Sequence, residues 1–264
     1  MRQTPLLALL TDFGLTDPYV GQLKAVLMTA APGLPLLDLT HGVAPQDVMQ
    51  AAFYLAASLP WLPEHALTVA VVDPGVGTAR RIVLLETPTQ RILAPDNGIL
   101  TLVLREHASC RAFDLTPPTP PASATFHGRD VFAPLAARLA CGEAPETLGP
   151  SLPVADLVRL EGLAPVRQGS QVTARVLAVD HFGNVVTNCA VTEYPRLPAA
   201  PRLRAPVDRP LCPVATYAAI PPETIGLLAG SQGYLELAVP GASAAALLGL
   251  KSGDTCILMF PEED

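Results

Sequence analysis

The run Val71-Val72-Asp73-Pro74-Gly75-Val76-Gly77-Thr78-Ala79-Arg80-Arg81 joins an apolar stretch to a carboxylate, a glycine turn and two guanidinium groups. A strand that empties onto Asp73 puts its carboxylate at the carboxyl edge of a sheet, where α/β proteins hold their ligands. Arg80, beyond the glycines, can fold back to keep that carboxylate ionised and fix its direction. Arg81 is a rival partner, although alternation points it to the opposite face. Thr125-Phe126-His127-Gly128-Arg129-Asp130 adds an imidazole just ahead of a helix, the side chain whose charge changes most readily near neutrality. Leu9-Leu10-Thr11-Asp12-Phe13-Gly14 again runs a strand into a carboxylate, and Asp12 can accept hydrogen bonds from both hydroxyls of a vicinal diol such as a ribose. Each cluster has a plain structural alternative: a turn or cap aspartate at 12, a salt bridge between 73 and 80, a hydrogen-bonded histidine at 127. His65 and His107 stand alone and receive no role.

A fourth constellation lies late in the chain, in Asp180-His181-Phe182-Gly183-Asn184 and Gly230-Ser231-Gln232-Gly233-Tyr234-Leu235-Glu236-Leu237-Ala238-Val239. Phe182 can stack on a flat heteroaromatic ring, and Asn184 can both donate to it and accept from it. A β-turn beside a core phenylalanine would look the same. Nothing in the chain matches a Walker loop, a Rossmann glycine fingerprint, a Gly-x-Ser-x-Gly elbow or a His-Glu-x-x-His zinc motif.

The elements that must position these residues fall into two sets. Up to about residue 150, β-like runs at 6–10, 36–39, 66–72 and 82–86 alternate with helical runs at 19–30, 48–57, 99–107 and 130–140, the pattern of an α/β layer with a mainly parallel sheet. Asp17 is expected to cap a helix that starts at Pro18, and residues 44–47 suggest a second helix start. Strand-like runs then take over at 172–179, 185–188, 235–239 and 255–260. The expected organisation is α/β: an N-terminal α/β domain over residues 1–166, with a smaller β-rich, barrel-like C-terminal domain over residues 167–264. Much of the proline sits at 116–121 and between 194 and 222, which read as irregular surface segments.

Bulk properties narrow the partners. Half of the 264 residues are apolar and 16% are charged, with a formal net charge of −7 and no basic run, which argues against nucleic acid or an anionic membrane as partner. No segment reaches the ~20 apolar residues of a membrane span, and the apolar run after Met1-Arg2 is too short for a signal peptide. The five cysteines are odd in number and widely spaced, so neither a disulfide framework nor a zinc site is expected, and a reducing cytoplasm fits.

In this order, the clusters resemble the S-adenosyl-L-methionine hydrolase family, which shares its fold with the bacterial fluorinase and chlorinase. The resemblance is carried by Thr11-Asp12-Phe13-Gly14, Leu39-Thr40-His41, Asp73-Pro74-Gly75-Val76-Gly77-Thr78, Ala94-Pro95-Asp96-Asn97-Gly98, Phe126-His127-Gly128-Arg129-Asp130, Phe182-Gly183-Asn184 and Gly233-Tyr234-Leu235-Glu236. It implies a homotrimer whose sites lie between the large domain of one subunit and the small domain of its neighbour. It places the catalytic set on Asp73, Arg80 and His127 and the ribose carboxylate on Asp12. Adenosine and methionine contacts fall on Phe182, Asn184, Ser231, Glu236 and the backbone near Val239, with Asp180 a candidate for the methionine ammonium and Asp17 a further substrate contact. The halogenases carry a tyrosine where this chain has Asp73, and the fluorinase a serine where it has Gly128. Gln46 and Gln232 replace a fluorinase tryptophan and arginine.

The resemblance implies hydrolysis of S-adenosyl-L-methionine, the (R)-sulfonium epimer being favoured, to adenosine and L-methionine, with no cofactor and no metal ligand. A sulfonium leaves as a neutral thioether and needs no general acid, so the difficulty lies in making water attack C5′ in line with sulfur. Asp73 can accept a hydrogen bond from that water, while Arg80 and a protonated His127 can stabilise developing negative charge. A general-base role for Asp73 and a hydroxide-holding role for Arg80 and His127 both remain open. The competing readings are a halogenase using the same substrate, a metal-dependent phosphohydrolase built on Asp12, Asp73, Asp96 and His127, and a non-catalytic module that binds an adenosyl ligand.

Overall fold

The computed structural model describes residues 6–119 and 121–261. Met1-Arg2, whose start imitates a signal peptide, and Pro120 of the first proline segment lie outside the described residues. Two compact units divide the chain, Met1–Leu160 and Glu161–Asp264.

In the first unit the strands are β1 (Leu7–Thr11), β2 (Leu36–Thr40), β3 (Leu67–Val71), β4 (Ile82–Glu86), β5 (Arg91–Pro95), β6 (Arg111–Asp114) and β7 (Ser151–Leu152), in the sheet order β2-β1-β3-β5-β4-β6-β7. The first four in that order run parallel, and β4, β6 and β7 extend the sheet with antiparallel pairings. Every residue of β1 and β3 is buried, because helices cover both faces of a parallel sheet, whereas edge strand β2 carries the half-exposed Asp38. Helices α1 (Tyr19–Ala30) and α2 (Val48–Ser58) lie early in the unit, α3 (Thr101–Glu106), α4 (Ala133–Ala140) and α5 (Pro145–Leu148) later. Leu23 and Leu27 of α1 and Leu135 and Leu139 of α4 form one core with Leu7, Leu9, Leu67 and Val69, while α2 packs against α3 and β1. The parallel register pairs Thr11 with Val71, so Asp12 and Asp73 leave adjacent strands at the same edge of the sheet.

Helix starts follow the sequence reading in part. Asp47 caps α2, accepting from Gln50 N–H at 2.9 Å. Asp17 does not cap α1: Pro18 holds the cap position with no side-chain cap bond, and Gln22 N–H reaches Pro18 O, so the helix begins one residue too late for the Asp17 carboxylate. The third helix starts differently as well. Gly128–Phe132 is wound as a π-helix, with Ala133 N–H donating to Gly128 O five residues back, before α4 begins. Pro134 has no N–H to offer the usual bond to residue 130, which favours the wider turn immediately after His127.

The second unit contains β8 (Val166–Gln168), β9 (Gln171–Val179), β10 (Val185–Ala190), β11 (Arg202–Ala205), β12 (Arg209–Pro213), β13 (Ile225–Ala229), β14 (Tyr234–Ala238), α6 (Ala244–Leu248) and β15 (Thr255–Met259). Seven strands close a barrel in the order β10-β14-β13-β12-β11-β15-β9, with β9 returning to β10 and β8 attached to β9 beyond that seam. Val176, Leu227, Leu235 and Leu258 fill its interior. The stretch 194–222 is not all irregular surface, since β11 and β12 lie within it and bury Leu203 and Leu211. Short strands need few ladder bonds, so prolines at 206, 210 and 213 are tolerated near their ends.

Candidate active site

Two consecutive tight turns follow β3: Val76 N–H donates to Asp73 O, and Thr78 donates to Gly75 O through both its N–H and its hydroxyl. Gly77 has φ +80°, and a Cβ there would sit 2.7 Å from Ala124 O, so only glycine lets this turn lie against the segment leading to His127. The turns bring Arg80 back onto Asp73, with Nε donating to Oδ2 at 2.7 Å and Nη2 to the same oxygen. The Nη2 group also donates to His127 Nδ1 at 2.7 Å. One guanidinium therefore ties the carboxylate and the imidazole together, and the side chains of Arg80 and Asp73 are 9% and 5% exposed.

This contact decides the state of the histidine. A guanidinium offers donors and no acceptor, so His127 Nδ1 must present its lone pair and the ring proton must sit on Nε2. Burial and the Arg80 charge both push the His127 pKa down, with Asp73 and Asp130 opposing them. The expected protonated His127 is thereby corrected: the ring is neutral, and positive charge at the site comes from Arg80. Asp73 Oδ1 and His127 Nε2 are buried and make no hydrogen bond to the described residues. One is an acceptor and the other, with the ring proton on Nε2, a donor.

Asp12 stands at the same sheet edge, where its Oδ2 accepts Gln46 N–H at 2.8 Å. Gln46 holds a left-handed conformation, φ +66°, to aim that N–H. Phe13 packs edge-on against Tyr19 and Phe126, and a Cβ at Gly128 would lie 2.9 Å from the Phe13 ring, so the packing calls for glycine at 128. Asp17 is exposed and accepts none of the hydrogen bonds described. Arg81 binds Asp96 through Nε at 2.8 Å, and Val158 N–H donates to the other Asp96 oxygen, also at 2.8 Å. Arg81 thus has its own partner, and Asp96 is spent on structure, which breaks up the four-residue ligand set of the phosphohydrolase reading. Among the described residues no three His, Cys, Asp or Glu side chains are grouped to hold a metal.

In the second unit, the loop between β9 and β10 is organised by Asp180. Its Oδ1 accepts the N–H groups of Phe182 and Asn184, at 2.9 and 2.8 Å, and its Oδ2 accepts the Asn184 amide at 2.8 Å. That leaves Asn184 buried with a fixed amide plane, and Phe182 77% exposed. Three of roughly four acceptor positions of Asp180 are thus used within its own turn, which makes it the support of Asn184 before it is a partner for an ammonium. Glu236, on β14, is 4% exposed and accepts the Tyr217 hydroxyl at 2.6 Å. Burial above all, with Asp180 adding repulsion, raises its pKa, and the Tyr217 bond works against that rise. Ser231 is exposed on the turn joining β13 to β14, and Val239 follows the far end of β14. Tyr217 and His41 are polar partners without an assigned role in the sequence reading; no spacing signal ties Tyr217 to Glu236, because the barrel brings them together.

Residues 7–149 and 174–257 match the N-terminal and C-terminal domains of SAM hydroxide adenosyltransferase. The chain is similar to the (R)-S-adenosyl-L-methionine hydrolase of Thermus thermophilus, 44% identical over 92% of this chain and 95% of that protein. It is also similar to the protein of the same name from Salinispora arenicola, at 40% over 96% and 97%, and to the fluorinase of Nocardia brasiliensis, at 29% over 94% and 95%. The crystal structure of an uncharacterized conserved protein from Thermotoga maritima shares the fold, with a TM-score of 0.87 and 32% identity over 96% of this chain and all of that one.

Proposed function

The chain belongs to the SAM hydroxide adenosyltransferase family, and from that premise we propose that it hydrolyses S-adenosyl-L-methionine, as the (R)-sulfonium epimer, to adenosine and L-methionine. The observation that carries the reading is the Asp73-Arg80-His127 cluster with its two unpartnered buried atoms. A water donating to Asp73 Oδ1 and accepting from His127 Nε2–H has its remaining lone pair directed by both. As its oxygen bonds to C5′, the water proton shared with Asp73 Oδ1 passes to that carboxylate, leaving the 5′-hydroxyl of adenosine, and Arg80 holds Asp73 in place to receive it. The C5′–sulfur bond breaks with its electron pair going to sulfur, and methionine leaves neutral at that atom.

Asp12 takes the ribose hydroxyls with the oxygen positions that Gln46 N–H leaves free. Phe182 and Asn184 take the adenine, Glu236 and the Val239 backbone lie beside them, and Ser231 takes the methionine end. Asp17 and Asp180 are the weaker substrate contacts, the first on the exposed approach to α1 and the second through its hold on Asn184. We propose a homotrimer in which the second unit of a neighbouring subunit covers the Asp12 and Asp73 edge; the bare Phe182 ring supports a covering partner. No described helix is long and apolar enough to cross a membrane, and the five unbridged cysteines fit the cytoplasm.

The test is incubation with each purified sulfonium epimer, with and without chloride, following nucleoside and amino acid by chromatography. Adenosine and methionine in equal amounts from the (R) epimer is the expected result. A chlorinated nucleoside would favour the halogenase reading, and binding without turnover would leave a ligand-binding module.

A further inference from the structure

We infer that His41 is a positioning residue for Asp12, which sets how tightly the adenosyl group is held and has little effect on how fast it is cleaved; the inference rests on the hydrolase reading above. A polar chain crosses the edge of the sheet. Lys24 of α1 donates to Asp38 Oδ2 at 2.6 Å, and Asp38 Oδ1 lies 3.1 Å from His41 Nε2. His41 Nε2 thus approaches the Asp38 carboxylate closely without the alignment of a good hydrogen bond. The His41 side chain is 2% exposed, and its Nδ1 lies 2.8 Å from the wholly buried Thr11 hydroxyl. That hydroxyl also accepts Phe13 N–H at 3.2 Å, while Gly14 N–H donates to His41 O at 2.8 Å.

The polarity of the chain follows from its ends. With a carboxylate beside Nε2, the ring proton sits on that nitrogen, so Nδ1 accepts the Thr11 hydroxyl proton and the Thr11 oxygen is free to accept Phe13 N–H. Every donor from Phe13 to Lys24 then points toward Asp38. Thr11 and Phe13 are the two neighbours of Asp12: the Thr11 hydroxyl bonds the His41 ring and Phe13 N–H bonds that same hydroxyl, whereas the Asp12 side chain accepts one described hydrogen bond, from Gln46 N–H. The backbone on either side of Asp12 is therefore set from His41, while Gln46 N–H holds the carboxylate end. Two-oxygen capture of a diol tolerates little displacement. The Arg80 bonds that hold Asp73 and His127 are made without this chain, which is why binding and turnover should separate.

Thr11→Val tests the link, because it removes both hydroxyl bonds while keeping the volume. Calorimetry of adenosine binding, KM and kcat with the (R) epimer, and thermal unfolding are measured on the full chain. Thr11→Val is expected to raise adenosine Kd and KM about tenfold with kcat within about threefold, the loss of roughly one buried hydrogen-bonded link. Thr11→Ser, which restores the hydroxyl, should recover binding. His41→Asn keeps a polar atom near the Nδ1 position and should bind more tightly than His41→Leu, while Thr11→Val with His41→Leu should be no worse than the poorer single variant. An unchanged Kd in Thr11→Val, a fall in kcat as large as the rise in KM, or additive losses in the double variant would overturn the inference. A wild-type chain that binds adenosine yet releases none from either epimer defeats the hydrolase reading alone, since the Kd series still decides the role of His41.

Discussion

The two units hold their candidate residues by opposite means. In the first, Asp73 and Arg80 from one glycine turn meet His127 from a distant stretch of chain, and the three are joined by almost fully buried bonds. In the second, Asp180 and Asn184 close on each other within a single turn and leave Phe182 bare. Buried charge is costly unless every partner is in place, so the first arrangement is rigid and fails as a unit. A local turn costs little and can fail alone. Reactivity is thus expected to depend on the first unit and recognition on the second.

The sharpest way to break that division is Arg80→Ala, which removes the donor shared by Asp73 and His127 and leaves a buried carboxylate unpaired. It should lower kcat by about 10³-fold or more and destabilise the fold by about 3–5 kcal/mol. Arg80→Lys keeps the charge but not the fork that reaches both partners, and should recover stability better than kcat. Asp73→Ala and His127→Ala should each lower kcat by roughly 10²–10⁴-fold with adenosine Kd nearly unchanged. Equal losses in kcat and binding, read from steady-state kinetics and calorimetry, would dissolve the division.

Asp180→Ala tests the other side. It frees the Asn184 amide and two backbone N–H groups, and should weaken adenosine binding by about 10–100-fold while kcat at saturation changes little. A kcat loss without a Kd change would move Asp180 into the chemistry.

A smaller contrast is expected in pH dependence. Because the folded chain holds His127 below its ordinary value of 6.5, unfolded chains take up the proton first as pH falls. The stability contributed by the neutral ring is complete above pH 6.5 and is lost as pH drops toward the lowered folded value, by at most ~1.4 kcal/mol per pH unit. Protonation also puts a proton on Nδ1 against Arg80, so kcat should fall as pH passes through that lowered folded value, below 6.5, while adenosine Kd stays level. His127→Asn should abolish this acid limb in thermal melts.

What sequence could reveal depended on how far apart the partners are. Asp73 and Arg80 are joined across one glycine turn, and alternation correctly kept Arg81 apart, where it meets Asp96. The α/β sheet and the β-rich second unit followed from alternating strand-like and helical runs that give way to strand-like runs alone, and the start of α2 followed from the residue types at 44–47. The state of His127 was hidden, because it is decided by a nitrogen 47 positions away along the chain. Tyr217 on Glu236 was hidden for the same reason, barrel closure being invisible to local spacing. The strands at Arg202–Ala205 and Arg209–Pro213 were masked by proline, whose turn signal outweighs two inward leucines. Asp17 looked like a cap because residue type fits, but a one-residue shift in the helix start moved its carboxylate out of reach.

The smallest expected effect compares how each unit uses a left-handed residue. The second unit places Gly183 there, φ +83°, with Ser243 packed where a Cβ would be, while the first places Gln46, φ +66°, to hand its N–H to Asp12. A side chain at positive φ costs about 1–2 kcal/mol, and glycine returns about 0.4–1 kcal/mol of that through the freer unfolded chain. Gln46→Gly should therefore stabilise the chain by up to about 1 kcal/mol, whereas Gly183→Ala, strained and crowded by Ser243, should destabilise it by more than that. Thermal unfolding of the two variants reads both signs. If Gln46→Gly lowers stability, the glutamine side chain makes a stabilising contact that outweighs its backbone strain, and the first unit would be holding Asp12 by packing as well as by hydrogen bonds.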